Sequence, residues 1–500
     1  MPGSTIAWAL PSGGLWIGLP LGIAAIVLAA RARRQPISRA GTRMAIGAIA
    51  LAALAIGQIV AYTIVSVVAY PAAASAAKPR VSVTRDSAGI PHIVGKDFRS
   101  VGYGEGYAYA QDNLCTFADD VITLRAQRSK YFGPDALFYQ YAGSGAADPN
   151  WKSDLWWKRV RYSRVVEKAA AQKPPLGPDA DVEALYKGWA AGYNAYLRSG
   201  KLRDPACKGK PWVKPITLRD LYYRNEQIVT TPSSSRFISG LVDAQPPTGA
   251  TARAATRGRP DTAALNRSVG SPASPLGSNG VGLGSDGTKN GAGMVLANPH
   301  SPWRGTERWW MAHLTVPGSY DVMGGTIGGF PAIGSGFNES LAWTHTVSTS
   351  RRFVVFKLEL VSGDPTSYVV DGEPEKMGTQ TVTAGGRTHT FYTTRYGVVF
   401  NLPSAGYFWT KDSAYAFGDV EEGNLRVANQ YIKMGQARSV GKLLKVERRY
   451  LGIPTLTRSP PTAVVAPCTP TRVRSPTRPR PRSTTACPTQ PRWSSSARRG

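Results

Sequence analysis

The sequence predicts an α+β protein that follows an N-terminal membrane or signal region. Residues 279–285 and 293–297 are small and apolar, and the Asp-Gly and Asn-Gly dipeptides between them are typical of a hairpin turn. Residues 150–230 instead have mostly helical character, with good helical periodicity over 182–197. Strands and helices thus dominate different stretches of one globular region.

Composition excludes one class of partner. The chain has 500 residues, 42% of them hydrophobic, so it is long enough and apolar enough to bury a real core. Its formal net charge of +28 is the kind of charge found in nucleic-acid-binding proteins. Fourteen arginines and no acid, however, lie in residues 31–43 and 455–500, and elsewhere the basic residues are scattered among acids. We therefore predict no nucleic-acid partner.

The N-terminal region carries two uncharged apolar runs, residues 6–30 and 44–69. The second run is long enough to span a bilayer, and the arginines between the runs would place that loop in the cytoplasm. Alternatively, residues 31–77 are a signal peptide with a basic start and an Ala-Ala-Ala-Ser-Ala-Ala cleavage region. Both alternatives predict an exported protein, either extracellular or anchored at the cell surface through residues 1–77.

The cysteines and histidines bear on redox state and on metal binding. Cys115 and Cys207 are the two cysteines of the globular part, and in an exported protein they form either a disulfide or two unpaired buried thiols. No Cys/His spacing is typical of zinc, and the five histidines are dispersed along the chain. We therefore predict neither a metal site nor a cofactor. The histidines are His92, His300, His313, His345 and His389.

Residues 244–277 consist mainly of Pro, Gly, Ala, Ser, Thr and Arg, a composition that cannot bury enough surface to offset chain entropy. This stretch is either an interdomain linker or a spacer that is cut out. Ser278 follows it directly, at the start of the first hairpin strand. Cleavage after Gly277 would give Ser278 a free α-amino group, whose ordinary pKa of about 7.7–8.0 suits a general base for its own hydroxyl. Without cleavage, Ser278 is an ordinary turn residue.

Several motifs occur in a fixed order. A strand at 81–84 precedes Arg85-Asp-x-x-Gly-Ile-Pro-His-Ile, and Gly-x-Gly-Tyr-Ala-x-Ala-Gln-Asp112 follows. After Ser278 come Asn-Pro-His300 and Leu-Ala-Trp-Thr-His-Thr-Val347. Over roughly residues 80–455 the chain resembles the penicillin acylase family of N-terminal nucleophile (Ntn) hydrolases. The segments around Cys115 and Cys207 resemble the branch that contains aculeacin A and acyl-homoserine lactone acylases.

The resemblance implies a fold and a division of the chain. The implied fold is an αββα four-layer sandwich, here incomplete. Residues 78–243 would be the helical small-chain segment, 244–277 the excised spacer and 278–455 the first part of the large chain. The two cleaved chains would then remain together as a heterodimer.

The resemblance also implies roles for individual residues. Ser278 is the implied nucleophile, released by processing between Gly277 and Ser278, and His300 is implied to lie beside it. Val347 matches a residue whose backbone N–H forms half of the oxyanion hole, a role that needs no particular side chain. Without the resemblance, His300 would be interpreted as a structural histidine after a strand.

The acyl group of the substrate is expected to occupy an apolar pocket between the strands that follow Ser278. We assign Trp309, Phe330 and Thr346 to substrate binding, with core packing as the alternative for the two aromatic residues. Penicillin acylases proper bind calcium through aspartates just beyond this point. Residues 348–352 are Ser-Thr-Ser-Arg-Arg here, so the resemblance implies no calcium site.

The implied activity is hydrolysis of a small acyl-amide substrate, an acyl-homoserine lactone, a lipopeptide or a penicillin-like molecule. Ser278 would form an acyl ester that water then hydrolyses. Two other functional classes stay open. They are an inactive remnant of such an acylase and a basic, membrane-associated binding protein.

Residues 456–500 contain no acid and no hydrophobic periodicity, and Arg, Pro, Ser and Thr dominate them. They are either a functional basic low-complexity tail or the product of a reading-frame shift, and in both cases we predict disorder. The family's larger chain also supplies an asparagine to the oxyanion hole and an arginine near the nucleophile. Neither has a matching position in this sequence.

Overall fold

The computed structural model describes residues 79–139, 147–202, 204–248, 260–261, 263, 265, 277–346 and 352–453, and the backbone of 462–465. The apolar runs 6–30 and 44–69 lie outside these residues, so the membrane and signal assignments stay predictions. Within the described ranges, no helix combines the length and the apolar character that a membrane span requires.

Most described helices lie in the predicted small-chain segment. In chain order the helices are α1 (Phe98–Leu124), α2 (Arg128–Phe132), α3 (Asn150–Ser163), α4 (Val165–Ala170), α5 (Ala180–Arg198), α6 (Leu218–Thr230), α7 (Ile238–Val242), α8 (Arg426–Gln436) and α9 (Val440–Tyr450). The helical character predicted for 150–230 is therefore confirmed, and a loop at 199–217 interrupts it between α5 and α6.

The first and the last elements of the described chain are strands. They are β1 (Val81–Arg85), β2 (Pro91–Gly95), β3 (Leu137–Phe138), β4 (Asp148–Pro149), β5 (Gly277–Leu283), β6 (Met294–His300), β7 (Trp310–Val316), β8 (Tyr320–Thr326), β9 (Ser335–Phe337), β10 (Ala342–His345), β11 (Phe353–Val361), β12 (Asp364–Val370), β13 (Glu373–Lys376), β14 (Gly378–Ala384), β15 (Arg387–Thr394), β16 (Gly397–Phe400), β17 (Ser413–Asp419) and β18 (Thr462–Val465). The mixed α+β class is confirmed.

Segments on both sides of the spacer build the first sheet. Its strand order is β1-β2-β7-β8-β9-β10-β18. Strands β2 and β7 pair in parallel, so a strand that precedes the spacer lies beside one that follows it. Strand β18 pairs antiparallel with β10, which differs from the disorder predicted for residues 456–500 at these four positions. The reason is that β10 offers an open edge, to which extended backbone can hydrogen-bond whatever its side chains.

The second sheet, of order β13-β12-β11-β17-β16-β15-β14, is a separate antiparallel layer. Helices α3 and α7 pack against it. Strands β5 and β6 form a third, two-stranded sheet that pairs Gly277 with His300 and Leu283 with Met294. The predicted hairpin is confirmed, and its first strand begins at Gly277, two residues earlier than predicted.

Glycines set how closely α1 and α5 cross. A Cβ at Gly192 would lie 1.9 Å from the carbonyl oxygen of Tyr103, and one at Gly106 would lie 2.1 Å from that of Trp189. No side chain fits at such distances, so the two helix backbones touch. Gly106 of the Gly-x-Gly-Tyr-Ala motif thus lies on the surface of α1 that packs against α5.

The two faces of the first sheet differ in burial. Ile93 and Leu314 point toward the helices and are fully buried. On the opposite face Val94, Met311 and Phe337 are 43%, 42% and 50% exposed. Large apolar side chains at this exposure form an open apolar face, which is typical of a surface that another layer covers.

A disulfide joins Cys115 on α1 to Cys207 in the loop 199–217. The two Cα atoms are 5.5 Å apart, within the range that a disulfide spans. Cys207 is fully buried, so the cross-link fixes this loop to the helical layer.

Candidate active site

Ser278 is the second residue of β5 and lies opposite Pro299 of β6, one register position from the Gly277–His300 pair. It is partly buried. The peptide bond that we predict to be cut thus lies at the end of a two-stranded ladder, where the chain enters the hairpin. In the uncut chain the nitrogen of Ser278 is an amide and has no basic lone pair, so the hydroxyl would depend on another group for activation.

His300 lies beside Gly277, the residue before this bond. A Cβ built on Gly277 would be 3.1 Å from Nδ1 of His300. On the other side of the ring, Nε2 lies 3.3 Å from Nδ2 of Asn279 and 3.3 Å from Nδ2 of Asn298. Both amide groups can donate to Nε2, so in the neutral ring Nε2 is the acceptor and Nδ1 carries the proton, on the side of Gly277. The structure thus brings His300 beside the predicted processing site.

The predicted substrate-binding residues lie just beyond the ends of strands of the first sheet. Trp309 directly precedes β7, and its indole Nε1 donates to Oγ of Ser301 at 2.9 Å. Because Ser301 follows His300, this bond ties the hairpin to the first sheet. Phe330 is 4% exposed, in the loop after β8. Thr346 is partly buried directly after β10. Val347 lies outside the described residues.

Two residues that sequence reasoning missed connect these aromatics. The ring centroids of Trp309 and His345 are 6.4 Å apart, those of His345 and Tyr431 5.8 Å, and those of Tyr431 and Phe330 5.8 Å. Burial lowers the pKa of His345 to about 4, so its ring is neutral at pH 7 and compatible with an apolar pocket. His345 precedes Thr346 in the sequence, and that position could have identified it as a site residue. Tyr431 lies on α8, and nothing in the sequence indicated that it belongs to the site.

Arg224 of α6 anchors the Gly328–Phe330 loop by a hydrogen bond. Arg224 is fully buried and donates through Nε to the carbonyl oxygen of Gly328 at 2.8 Å and through Nη1 to Glu307 at 3.1 Å. Its Nε also lies 3.6 Å from Asp120. Burial raises the pKa of Asp120 to about 6, and Arg224 opposes this shift. One guanidinium therefore fixes both loops that flank Trp309 and Phe330.

The two N-terminal motifs meet at a single ion pair. Arg85 donates to the carboxylate of Asp112, with 3.1 Å between Nη1 and Oδ2. Trp310 also donates to Asp112, through Nε1 at 2.8 Å. Arg85 ends β1 and Asp112 lies on α1, so the pair joins the sheet edge to the helix. These motif residues thus stabilise the scaffold around the site.

The described side chains also bear on metal binding. In the part of the chain that the structure describes, no group of three or more His, Cys, Asp or Glu side chains is arranged to hold an ion. The chemistry available around Ser278 is that of a hydroxyl, an imidazole and backbone amides. Such a set suits nucleophilic attack on a carbonyl carbon.

Two curated relatives of this chain are acylases. Aculeacin-A acylase of Actinoplanes utahensis is 42% identical over 382 residues, which are 74% of this chain and 47% of that protein. Acyl-homoserine lactone acylase PvdQ of Pseudomonas putida is 37% identical over 401 residues, 78% of this chain and 50% of that protein. The chain thus spans about half the length of these curated relatives.

A solved structure of thermostable penicillin G acylase from Alcaligenes faecalis, in tetragonal form, aligns at 25% identity with a TM-score of 0.23. The alignment covers 29% of this chain and 69% of that one. The sequence profile described as penicillin amidase matches residues 80–457, well over half of the chain. With the ordered motifs and with relatives of the acylase branch predicted from them, this match identifies the chain as a member of the penicillin amidase family.

Proposed function

We propose that the chain is an amidohydrolase that removes an acyl group from an amide through a self-processed N-terminal Ser278. The observation that carries the proposal is the position of His300 against Gly277, at the point where the chain enters the hairpin. The relatives, by their names, are acylases of aculeacin A and of acyl-homoserine lactones. The second name supports an acyl-homoserine lactone as substrate, and the penicillin amidase profile supports a penicillin-like amide. A lipopeptide is the third candidate.

Processing would come first. Hydrolysis of the Gly277–Ser278 peptide consumes one water and leaves a carboxylate on Gly277 and an α-amine on Ser278. Hydrolysis of a second peptide bond, at the N-terminal end of the spacer, would consume another water and release the spacer, predicted as residues 244–277. The amine, with an ordinary pKa of about 7.7–8.0, supplies the base that the uncut chain lacks.

Turnover would then proceed through an acyl-enzyme. Oγ of Ser278 attacks the amide carbonyl carbon, the α-amine accepts the hydroxyl proton, and the C–N bond breaks as that proton passes to the leaving amine. Water next attacks the ester, releases the carboxylic acid and regenerates the serine. Each donor to the oxyanion is worth about 3–4 kcal/mol of transition-state stabilisation, and we assign one donor to the backbone N–H of Val347, directly after Thr346.

The pocket for the acyl group would be the aromatic cluster Trp309, Phe330, His345 and Tyr431. The ring contacts between neighbours in this cluster, and the neutral state of His345, support an apolar occupant. The bond from Trp309 to Ser301 supports the assignment, because it sets the cluster beside the residue that follows His300.

The αββα sandwich and the heterodimer belong to the same proposal. The open apolar face of Val94, Met311 and Phe337 supports a second inner sheet against the first one. The parallel pair β2–β7 supports a lasting association of the cut chains, because its two strands come from different sides of the spacer. Export fits the Cys115–Cys207 disulfide, since disulfides persist in oxidising compartments.

Turnover of an N-acyl-homoserine lactone, followed by mass spectrometry of the released amine, tests the proposal. We expect wild type to release the amine with kcat/KM rising through an apparent pKa of about 7.7–8.0. We expect Ser278→Ala to release none and Ser285→Ala, in the hairpin turn, to match wild type. Equal turnover by Ser278→Ala would refute the assignment of the nucleophile.

A further inference from the structure

The first residue of the predicted spacer is built into the second sheet. Ala244 is 2% exposed and belongs to the apolar core of that sheet, together with Leu358 of β11 and Val399 of β16. The composition of residues 244–277 predicts a stretch that cannot bury its surface. Ala244 differs from that expectation and has the burial of a residue that belongs to the folded body.

Gln245 connects the small-chain segment to the large-chain segment. Its side-chain Nε2 donates to the carbonyl oxygen of Thr390 on β15 at 3.1 Å. The same nitrogen lies 3.3 Å from Nε2 of His389, on the same strand. Strand β15 follows Ser278 in the chain, so after processing these contacts would join one chain to the other.

Asp243, the residue before Ala244, is held by an ion pair. Nζ of Lys152 on α3 lies 2.6 Å from Oδ2 of Asp243 and donates to Oγ of Ser239 on α7 at 3.0 Å. The Lys152 side chain is 14% exposed, so water and salt screen this pair less than they screen a pair at the open surface. The Asp243–Ala244 peptide bond thus lies between a paired side chain and a buried one.

A later part of the predicted spacer also contacts the body. The backbone N–H of Asp261 donates to the carbonyl oxygen of Ala405 at 2.8 Å, and Leu265 is 2% exposed. Composition therefore does not by itself mark the residue at which the chain detaches.

Hydrolysis of a peptide bond requires that the chain around it leave its contacts, so burial and bonding decide where a fold can be cut. We infer that processing leaves the Asp243–Ala244 bond intact and that the small chain ends at or beyond Gln245. Residues 243–245 are then a C-terminal clasp that binds the small chain to the second sheet of the large chain. The boundary drawn from composition moves by at least two residues. The inference rests on the proposed function, because it presupposes the cut before Ser278.

The mass of the small chain tests the position of the cut. The full chain is expressed and purified, and the intact masses of its processed chains are measured. We expect a small chain whose last residue is Gln245 or a later one, and a large chain that begins at Ser278. A large chain that begins at Ser278 beside a small chain that ends at Asp243 or earlier would overturn the inference and leave the proposed function standing. An uncut protein would refute the proposed function and the inference with it.

Variants of the processed protein test the clasp. Ala244→Asp places a carboxylate in the core of the second sheet, so the urea concentration at which size-exclusion chromatography separates the chains should fall by about 1 M or more. Gln245→Ala removes only the bond to Thr390, so we expect a fall of about 0.2–0.5 M. This milder variant keeps the test valid if Ala244→Asp does not fold.

Ala206→Asp is the matched control, because Ala206 is exposed in the loop 199–217 of the small-chain segment. It introduces the same charge and should leave the urea concentration of chain separation unchanged. If wild type, Ala244→Asp and Gln245→Ala all separated at the same urea concentration, the clasp would be refuted, since a residue that processing removes cannot affect the processed protein.

Discussion

Glu105 on α1 is a buried carboxyl group that is unpartnered among the described residues. It is fully buried, and neither carboxylate oxygen has a hydrogen-bond partner among the residues that the structure describes. Burial raises its pKa well above the ordinary value, so the folded protein holds it protonated where the unfolded chain does not. Its contribution to stability is therefore complete below the unfolded pKa of about 4.3 and is lost as the pH rises above it.

Glu105→Gln should remove this pH dependence, because the amide stays neutral at every pH. The free energy of unfolding of the variant minus that of wild type should grow by about 1.4 kcal/mol for each pH unit above the unfolded pKa of Glu105, until the folded pKa is reached. Urea unfolding at pH 5 and pH 8 measures the difference, with the exposed Glu359→Gln as control. A Glu105→Gln variant no more stable than wild type at pH 8 would contradict the assigned burial.

Arg224 and Arg219 lie on the same helix and provide a matched comparison. The Arg224 side chain is fully buried between Glu307 and Asp120, whereas the Arg219 side chain, paired with Glu167, is 52% exposed. Arg224→Met should cost about 3–5 kcal/mol of unfolding free energy, because it leaves buried carboxylates without their cation. Arg219→Met should cost about 1 kcal/mol or less. Equal losses in denaturant unfolding would show that Arg224 does not hold the loops.

At the scale of elements, the crossing of α1 and α5 depends on glycine. Gly192→Ala would place a methyl carbon 1.9 Å from the Tyr103 carbonyl oxygen, so the helices must separate. We expect a loss of about 3 kcal/mol or more in the free energy of unfolding.

Gly441→Ala on α9 is the control for this substitution. Nothing lies within 4 Å of a Cβ at Gly441, so the change should stabilise by up to about 1 kcal/mol through helix propensity. Thermal unfolding of both variants distinguishes close helix contact from a general effect of alanine. If Gly192→Ala were as stable as wild type, the helices would not touch at this position.

Across the whole molecule, the parts of the fold that the sequence predicted are those that depend on neighbouring residues. The turn dipeptides between 279–285 and 293–297 predicted the β5–β6 hairpin, and the periodicity of 182–197 predicted α5, because both signals depend on neighbouring residues. The ordered motifs predicted the family. The sandwich and the site roles stay predictions, because the described residues contain neither Val347 nor a second inner layer.

Contacts between distant segments carried no such signal. Arg224 meets Gly328 across 104 positions, and His92 meets His313 across 221 positions. Sequence spacing does not show that β2 and β7 pair in parallel, so it could not predict the contact between these two histidines. Tyr431 likewise reaches His345 because α8 packs on the first sheet, which no local pattern encodes.

We propose that this chain cuts itself before Ser278, and the decisive measurement is the N-terminal residue of each fragment in the purified protein. We predict that mass spectrometry of wild type finds a fragment beginning at Ser278, and that Ser278→Ala remains one uncut chain while Ser285→Ala is cut like wild type. An uncut wild-type chain that nevertheless hydrolyses acyl amides, or a Ser278→Ala chain cut at the same bond, would contradict the account.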